Sequence, residues 1–218
     1  MTIAAEGGIP VRSTFLPYGR HEICETDIEA VTKVLRSGFL TTGPLVDRFE
    51  EELAHQTGAR YSAVVSSGTA ALHAAMKSLD IGPGHEVIVP SITFAATANA
   101  VFYCGARPVF VDINPDNLLM DLSDVERKIT KRTKMIVPVD FAGHPCDYDE
   151  LNSLAESQGI ALISDSSHAL GATYKGDQIG SVSNVSTLSF HPVKHVAAGE
   201  GGAVITNDRA VAEYVRRF

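Results

Sequence analysis

Residues Ser62–Leu79, SAVVSSGTAALHAAMKSL, decide the fold of this chain because they join a predicted strand directly to a predicted helix. Ser62–Ser66 is a short apolar run of strand length, and the small residues around Gly68 form the turn. Beyond the turn, apolar side chains recur with helical spacing at Leu72, Ala75, Met76 and Leu79. Such a strand–turn–helix unit is typical of α/β proteins.

The same alternation of strand and helix continues along most of the chain. Further apolar runs of strand length lie at Glu86–Pro90, Pro108–Asp112, Met135–Val139, Ala161–Asp165, Val185–Phe190 and Ala203–Thr206. Several are nearly continuous in Val, Ile and Leu, as expected for strands covered on both faces. The sequence therefore predicts an irregular arm at residues 1–20 and, over residues 21–218, a three-layer α/β/α fold with a mostly parallel seven-stranded sheet. In such sheets, ligands bind beyond the carboxyl ends of the strands.

Residues that start and stop helices support this assignment. Thr26-x-x-Glu29 and Ser123-x-x-Glu126 each fit the pattern of a capping box, in which two side chains satisfy the free N–H groups of a helix start. Other predicted helix ends lie at Pro44, Gly58, Asp147, Gly159, and either Asn207 or Asp208.

The composition excludes several classes of protein. Of 218 residues, 44% are hydrophobic and 20% charged, which is typical of a soluble globular protein. The net charge of −8 argues against nucleic acid as a partner. No apolar run approaches the roughly 20 residues that span a membrane, and Met1–Pro10 lacks the features of a signal peptide. Because Cys24, Cys104 and Cys146 lack metal-like spacing, we expect reduced thiols, a cytoplasmic location and no metal site.

The turn within Ser66–Leu72 is a candidate anion site. The free N–H groups and the positive dipole end of a helix start attract anions, and Gly68 and Thr69 let a phosphate approach the backbone. No Gly-Lys-Ser/Thr follows, so it is not a nucleotide-binding P-loop. A plain strand-to-helix turn would have the same pattern.

Two further candidates, Asp165 and Phe94, also lie at predicted strand ends. Asp165 ends a very apolar run, where a carboxylate is costly to desolvate unless a cation or several donors satisfy it. A protonated pyridine nitrogen is such a partner, and a helix N-cap is the alternative. Phe94 lies just past a strand end among small and polar residues, where an aromatic ring can stack on a flat ligand. The alternative is an ordinary core phenylalanine.

The amine of Lys194 is the candidate nucleophile. Lys194 follows the run Val185–Phe190 and precedes a glycine-dense turn at Gly199–Gly202, so a short loop constrains it. A lysine that attacks a carbonyl needs such a fixed geometry. An isolated lysine in a loop is more often a surface residue, but here Ser189 offers a hydroxyl to the same phosphate site.

Together these residues meet the requirements of one cofactor, pyridoxal 5'-phosphate. They supply a phosphate cradle, an aromatic ring for stacking, a carboxylate for the ring nitrogen and an amine for the aldehyde. The carboxylate keeps the ring nitrogen protonated, so that the ring accepts the electron pair of a carbanion.

Six motifs, in this order, carry a specific resemblance to a known family. They are Gly38–Pro44, Ser66–Leu72, Thr93–Thr97, Phe110–Ile113, Ser164–Gly171, and Ser189–Lys194 with Gly199–Gly202. Through them, nearly the whole chain resembles the DegT/DnrJ/StrS sugar aminotransferases, which are fold type I pyridoxal phosphate enzymes.

The resemblance implies a role for each candidate residue. Lys194 would bind the cofactor aldehyde and then act as the general acid and base of a 1,3-proton shift. Similar sugar dehydratases carry histidine at this position, so Lys194 favours transamination. The other implied contacts are Asp165 with the pyridine nitrogen, Phe94 with the ring face, His168 near the 3-oxygen, and Gly68, Thr69 and Ser189 with the phosphate.

The resemblance also implies substrates and an assembly. Members that aminate 4-keto sugars tend to have Ser-Phe-His before the lysine and Gly-Glu-Gly-Gly after it, as at residues 189–191 and 199–202. We therefore expect transfer from L-glutamate to a nucleotide-linked, UDP-type 4-keto-6-deoxy sugar, in bacterial surface glycan synthesis, by a homodimer with a shared active site. The alternatives are a 3-keto sugar aminotransferase and a non-catalytic pyridoxal phosphate-binding protein. A dehydrogenase is disfavoured because no Gly-x-Gly-x-x-Gly turn follows the first strand.

The sequence departs from the family pattern in two respects. Ser164 replaces a frequent glutamate, and Asp140 stands where many members have histidine. Complete members also continue into a small C-terminal domain. We therefore expect this chain to hold an incomplete large domain that binds the cofactor but turns over weakly or not at all by itself.

Overall fold

The computed structural model describes residues 2–17 and 19–218; Met1 and Tyr18, which belong to the predicted arm, lie outside the described residues. The rest of the arm contains one short 3-10 helix, Ala4–Glu6. The strands are β1 Tyr61–Val65, β2 Glu86–Pro90, β3 Arg107–Val111, β4 Thr133–Ile136, β5 Ala161–Asp165, β6 Thr173–Tyr174, β7 Asp177–Gln178, β8 Val185–Ser189 and β9 Gly202–Thr206.

Seven of these strands form one sheet in the order β1-β9-β8-β5-β4-β2-β3. Strands β3, β2, β4, β5 and β8 pair in parallel, whereas β9 is antiparallel to both β8 and β1. Since β9 reverses direction between two neighbours, β1 runs the same way as the parallel strands. The predicted mostly parallel seven-stranded sheet is therefore confirmed, and six carboxyl ends meet at one edge.

The helices are α1 Glu25–Leu35, α2 Pro44–Thr57, α3 Gly68–Ser78, α4 Ala95–Tyr103, α5 Leu122–Lys128, α6 Tyr148–Gln158 and α7 Arg209–Arg217. As predicted, α2 starts at Pro44 and stops at Gly58, whose φ of 69° is left-handed. Asp147 caps α6 by accepting the N–H of Glu150, and Asp208 caps α7. Among the described residues, none of the helices has both the length and the apolar character that a bilayer crossing needs.

Alternating side chains divide the core into two layers around the sheet. In β2, Val87 and Val89 pack into one cluster with α3, α4 and α7, while Ile88 packs into the other with α5 and α6. In β5, Ile163 belongs to the first cluster and Leu162 to the second. This period of two explains why the strands are apolar throughout: both faces are covered.

Both predicted capping boxes are wrong in register. Helix α1 starts two residues earlier, and its box is formed by Cys24 and Asp27, whose carboxylate accepts the N–H of Cys24 at 2.9 Å. Helix α5 is capped by Asp121, which accepts the N–H of Ser123 at 2.9 Å. In each case the threonine or serine that fits the pattern already lies inside the helix.

Three other features differ from the sequence prediction. Helix α4 was not predicted, because its own residues are mostly small or apolar on both its buried and its exposed side, which leaves no clear amphipathic period. Strand β4 ends at Ile136, before Pro138, which has no N–H for a ladder; beyond it only Val139 bridges to Asp165. Strands β6 and β7 form a small hairpin whose turn residues, Lys175 and Gly176, both have positive φ.

Candidate active site

One cavity of about 620 Å³ lies at the edge of the sheet where the carboxyl ends of the strands meet. This volume falls within the range of about 300–1,000 Å³ that is usual for small-molecule sites. All seven residues predicted from the sequence line this cavity, namely Gly68, Thr69, Phe94, Asp165, His168, Ser189 and Lys194. They come from four separate stretches of the chain, which the parallel strands bring together.

The turn between β1 and α3 presents free donors to the cavity. Ser67 caps α3, because its hydroxyl oxygen accepts the N–H of Ala70 at 3.1 Å. The next free N–H groups, those of Gly68 and Thr69, donate to no acceptor among the residues that the structure describes. The hydroxyls of Thr69 and Ser189 line the same part of the cavity. This donor set, at the positive end of a helix, suits a phosphate dianion.

Two glycines permit the close packing behind this turn. A Cβ on Gly68 would lie 2.8 Å from the Cβ of Ser189, and one on Gly202 would lie 2.4 Å from the carbonyl carbon and oxygen of Ser67. Real Cβ atoms do not approach so closely. Strand β9 therefore presses directly on the backbone of the turn and fixes its position.

The carboxylate of Asp165 is buried, with 5% of the residue exposed, and faces the cavity. The hydroxyl of Thr97 donates to its Oδ2 at 2.7 Å, and the hydroxyl of Ser167 donates to its Oδ1 at 2.6 Å. The N–H of Ser167 also donates to Oδ1, at 3.3 Å, which makes an Asx turn rather than the helix cap that the sequence left open. Three hydrogen bonds thus offset much of the cost of burying this charge.

The side chain of Phe94 also lines the cavity. Phe94 is the N-cap residue of α4 and is 74% exposed, so it is not a core phenylalanine. An exposed aromatic ring beside a buried carboxylate provides an apolar face for a flat ligand.

Burial lowers the pKa values of two basic groups that line the cavity, Lys194 and His168. The pKa of Lys194 lies below the usual lysine value because the amine is partly desolvated, an effect that the nearby charge of Asp165 opposes. The pKa of His168 is lowered chiefly by burial and further by the charge of Lys194. The charge of Asp165 acts in the opposite direction and raises it. A larger fraction of each group is therefore neutral at a given pH than in solvent. A neutral amine is the form that attacks a carbonyl.

The sequence did not assign several residues that complete the cavity. Thr97 and Ser167 hold Asp165, and Thr93 reaches Thr97, with 2.7 Å between the two hydroxyl oxygens. Thr93 lies just before Phe94, the N-cap residue of α4, and Thr97 lies in the first turn of that helix. His191 and Glu200 lie on the loop that carries Lys194, with 3.8 Å between Nε2 and Oε1.

Fold and cavity together define the class of this protein. A seven-stranded, mostly parallel sheet carries a helix-dipole anion site, a buried carboxylate and a lysine at its carboxyl edge. That combination is the architecture of the fold type I aminotransferases.

Comparisons with known proteins identify the family. Residues 21–218 match the model of the DegT/DnrJ/EryC1/StrS aminotransferase family, and the chain belongs to that family.

Two curated relatives and one solved structure illustrate the similarity. The chain is 42% identical over 205 residues to the spore coat polysaccharide biosynthesis protein SpsC of Bacillus subtilis, covering 94% of this chain and 53% of SpsC. It is 45% identical over 204 residues to a UDP-4-amino-4-deoxy-L-arabinose–oxoglutarate aminotransferase of Shewanella sediminis, covering 94% of this chain and 52% of that protein. The structure of Spr1654 from Streptococcus pneumoniae in its PLP form superposes with a TM-score of 0.89 at 36% identity, covering 92% of this chain and 57% of that one. The chain thus spans about half the length of the curated relatives it matches.

The contact between β9 and the turn gives a direct test of the anion site. In Gly202→Ala the added methyl group must displace the backbone of Ser67 or Gly68, so we expect the free energy of unfolding to fall by about 1–3 kcal/mol. We also expect the rise in melting temperature on adding inorganic phosphate to be lost, because the donors of the turn move apart.

Gly82→Ala is the matched control, since nothing lies within 4 Å of a Cβ at Gly82. Calorimetry of both variants with and without phosphate measures the two effects. A Gly202→Ala protein that phosphate stabilises as well as the parent would contradict the anion site.

Proposed function

We propose that this chain is the cofactor-binding part of a pyridoxal phosphate-dependent nucleotide-sugar aminotransferase. The observation that carries the proposal is the convergence of the phosphate donors, Phe94, Asp165 and Lys194 on one cavity. Spr1654, its structural relative, has been solved in PLP and PMP forms, which supports the same cofactor here.

The residues of the cavity fit the parts of pyridoxal 5'-phosphate one by one. The free N–H groups of Gly68 and Thr69, with the hydroxyl of Ser189, would donate hydrogen bonds to the phosphate. The buried carboxylate of Asp165 would pair with the protonated ring nitrogen, Phe94 would stack on the ring, and His168 would lie near the 3-oxygen. The absence of Cβ atoms at Gly68 and Gly202 lets Ser189 and strand β9 pack against this turn and fix the position of its donors.

Lys194 would carry the chemistry of attachment and proton transfer. When bound, the cofactor supplies an aldehyde and an electron-accepting ring. Lys194 would hold that aldehyde through Nζ, and its lowered pKa keeps more of the amine neutral, which is the nucleophilic form. When its amine is free, the same Nζ would serve as general base and then general acid, holding a proton and returning it.

Covalent attachment at Lys194 can be measured without any substrate. After incubation with pyridoxal phosphate and reduction with borohydride, we expect one added cofactor mass on the peptide that contains Lys194. The mass should be absent in Lys194→Ala. Lys175→Ala, which removes an exposed lysine paired with Asp149, should label like the parent. Equal labelling of the parent and Lys194→Ala would contradict the assignment.

The proposed substrates are L-glutamate and a UDP-linked 4-keto-6-deoxy sugar. The similar Shewanella protein is named for a UDP-linked sugar with its amino group at carbon 4 and for oxoglutarate, the keto acid that glutamate becomes. SpsC is named for polysaccharide biosynthesis, which supports a role in bacterial surface glycan synthesis. The Ser189–His191 motif favours the 4-keto over the 3-keto acceptor.

We also propose a domain division and an oligomeric state for the whole protein. Residues 1–20 form an arm, residues 21–218 form the large domain, and the whole protein is a cytoplasmic homodimer with a shared active site. The exposed apolar side chains of Ile28, Val31 and Leu35 on α1 support a partner surface. Sedimentation velocity measures the dimer directly.

Amino transfer is tested with paired acceptors. The protein is loaded with the cofactor, treated with L-glutamate, and then given a UDP-linked 4-keto or 3-keto 6-deoxy sugar. We expect oxoglutarate from the first step and, by NMR of the product, an amino group at carbon 4 only. Amination at carbon 3 favours the alternative acceptor. Cofactor binding with no release of oxoglutarate favours a non-catalytic binding protein.

A further inference from the structure

A second carboxyl group, that of Asp140, is buried directly behind the cavity. The residue is 0% exposed and lies where the chain leaves β4. Its N–H donates to the carbonyl oxygen of Asp165 at 3.1 Å, and the N–H of Asp165 donates to the carbonyl oxygen of Pro138 at 2.9 Å. The backbone of Asp140 is therefore joined to that of Asp165, although its side chain does not line the cavity.

The side chain of Asp140 is fully hydrogen-bonded. Its Oδ2 accepts the hydroxyl of Ser166 at 2.7 Å, and its Oδ1 accepts the N–H of Cys146 at 3.1 Å. The hydroxyl of Tyr148 lies within reach of both oxygens, at 2.8 and 2.9 Å. A buried carboxylate without such donors would be strongly destabilising.

Ser166 links Asp140 to Asp165, the carboxylate that faces the cavity. Ser166 follows Asp165, and its N–H donates to the carbonyl oxygen of Thr187 on β8 at 3.0 Å. Because successive side chains of an extended strand point to opposite faces, fixing Ser166 towards Asp140 directs Asp165 towards the cavity. Ser166 is thus held at both its backbone and its hydroxyl.

The hydroxyl cluster behind Ser166 accommodates either protonation state of Asp140. Ser166 lies 3.1 Å from Ser164, which lies 2.7 Å from Ser186 and 2.9 Å from Ser183, and Ser183 donates to the carbonyl oxygen of Val185 at 3.0 Å. Because hydroxyl groups rotate, the serines of this cluster can donate their hydrogen bonds either towards Asp140 or away from it. Burial, aided by the charge of Asp165, raises the pKa of Asp140 to about 6.

From this geometry we infer that Asp140 is a positioning residue: through Ser166 it orients the Asp165 carboxylate for contact with the ring nitrogen of the cofactor. The inference rests on the proposed function, in which Asp165 pairs with that nitrogen. Asp140 itself touches neither cofactor nor substrate.

The test compares two ligands that differ only at the ring nitrogen. One is pyridoxal 5'-phosphate, and the other is its analogue with a C–H group in place of that nitrogen. The parent should bind the natural cofactor about tenfold more tightly, as expected for one charge-assisted hydrogen bond. Asp140→Ala and Ser166→Ala should lose this preference and approach equal affinities. General damage to the fold would instead lower the affinity for both ligands by the same factor.

Conservative and matched variants complete the design. Asp140→Asn should keep the preference, since an amide can accept from Cys146 and Tyr148 and donate to Ser166. Ser186→Ala, a buried serine of the same cluster that does not contact Asp140, should also keep it. Thermal unfolding shows that each variant is folded, and Ser166→Ala replaces Asp140→Ala if the latter does not fold.

The variant Asp165→Ala distinguishes a failure of the proposed function of Asp165 from a failure of the positioning role of Asp140. If the parent has no preference, or if Asp165→Ala keeps the parent's preference, the role of Asp165 in the proposed function is wrong. If Asp165→Ala loses the preference while Asp140→Ala and Ser166→Ala keep it, only the positioning role of Asp140 is overturned.

Discussion

The common direction of six strands is the constraint on which the candidate site depends. Strand β9 is antiparallel to both of its neighbours, so β1 keeps the direction of the parallel strands. The carboxyl ends of β1, β2, β5 and β8 therefore meet at one edge, and each delivers a different group there: the anion turn, Phe94, Asp165 and Ser189. None of these residues is near another in the sequence, and the sheet alone brings them together.

Buried and partly buried ionisable groups lie at and behind the carboxyl edge of the sheet, and their surroundings set their protonation. Asp165 is buried, but Thr97 and Ser167 donate to both of its oxygens, and the partly buried amine of Lys194 lies in the same cavity. Behind it, Asp140 has a raised pKa because it is buried near a like charge, whereas Lys194 has a lowered pKa because it is desolvated. Perturbed pKa values in and around a cleft are common at functional sites.

Much of the fold and of the candidate site could be predicted from sequence, for identifiable physical reasons. Strands β2 and β5 have the predicted limits because strands covered on both faces are apolar throughout. Helix α4 escaped prediction because apolar and aromatic residues, such as Phe102 and Tyr103, also occupy its exposed side. The capping boxes were misplaced because Thr26 and Ser123 fit the pattern two positions after the observed N-caps. Thr97 and Asp140 were not assigned roles, since the Thr97–Asp165 and Asp140–Ser166 contacts span 68 and 26 residues and only the packed sheet makes these residues neighbours. Ser167 lies two residues from Asp165, but only the Asx turn shows that it donates to that carboxylate.

The central claim is that the Asp165 carboxylate faces a protonated ring nitrogen of bound pyridoxal phosphate. Nitrogen-15 NMR of the protein loaded with cofactor labelled at the ring nitrogen tests this most directly. The account predicts a protonated ring nitrogen at neutral pH in the parent and an unprotonated one in Asp165→Ala. An unprotonated ring nitrogen in the parent, or the same chemical shift in both proteins, would contradict it.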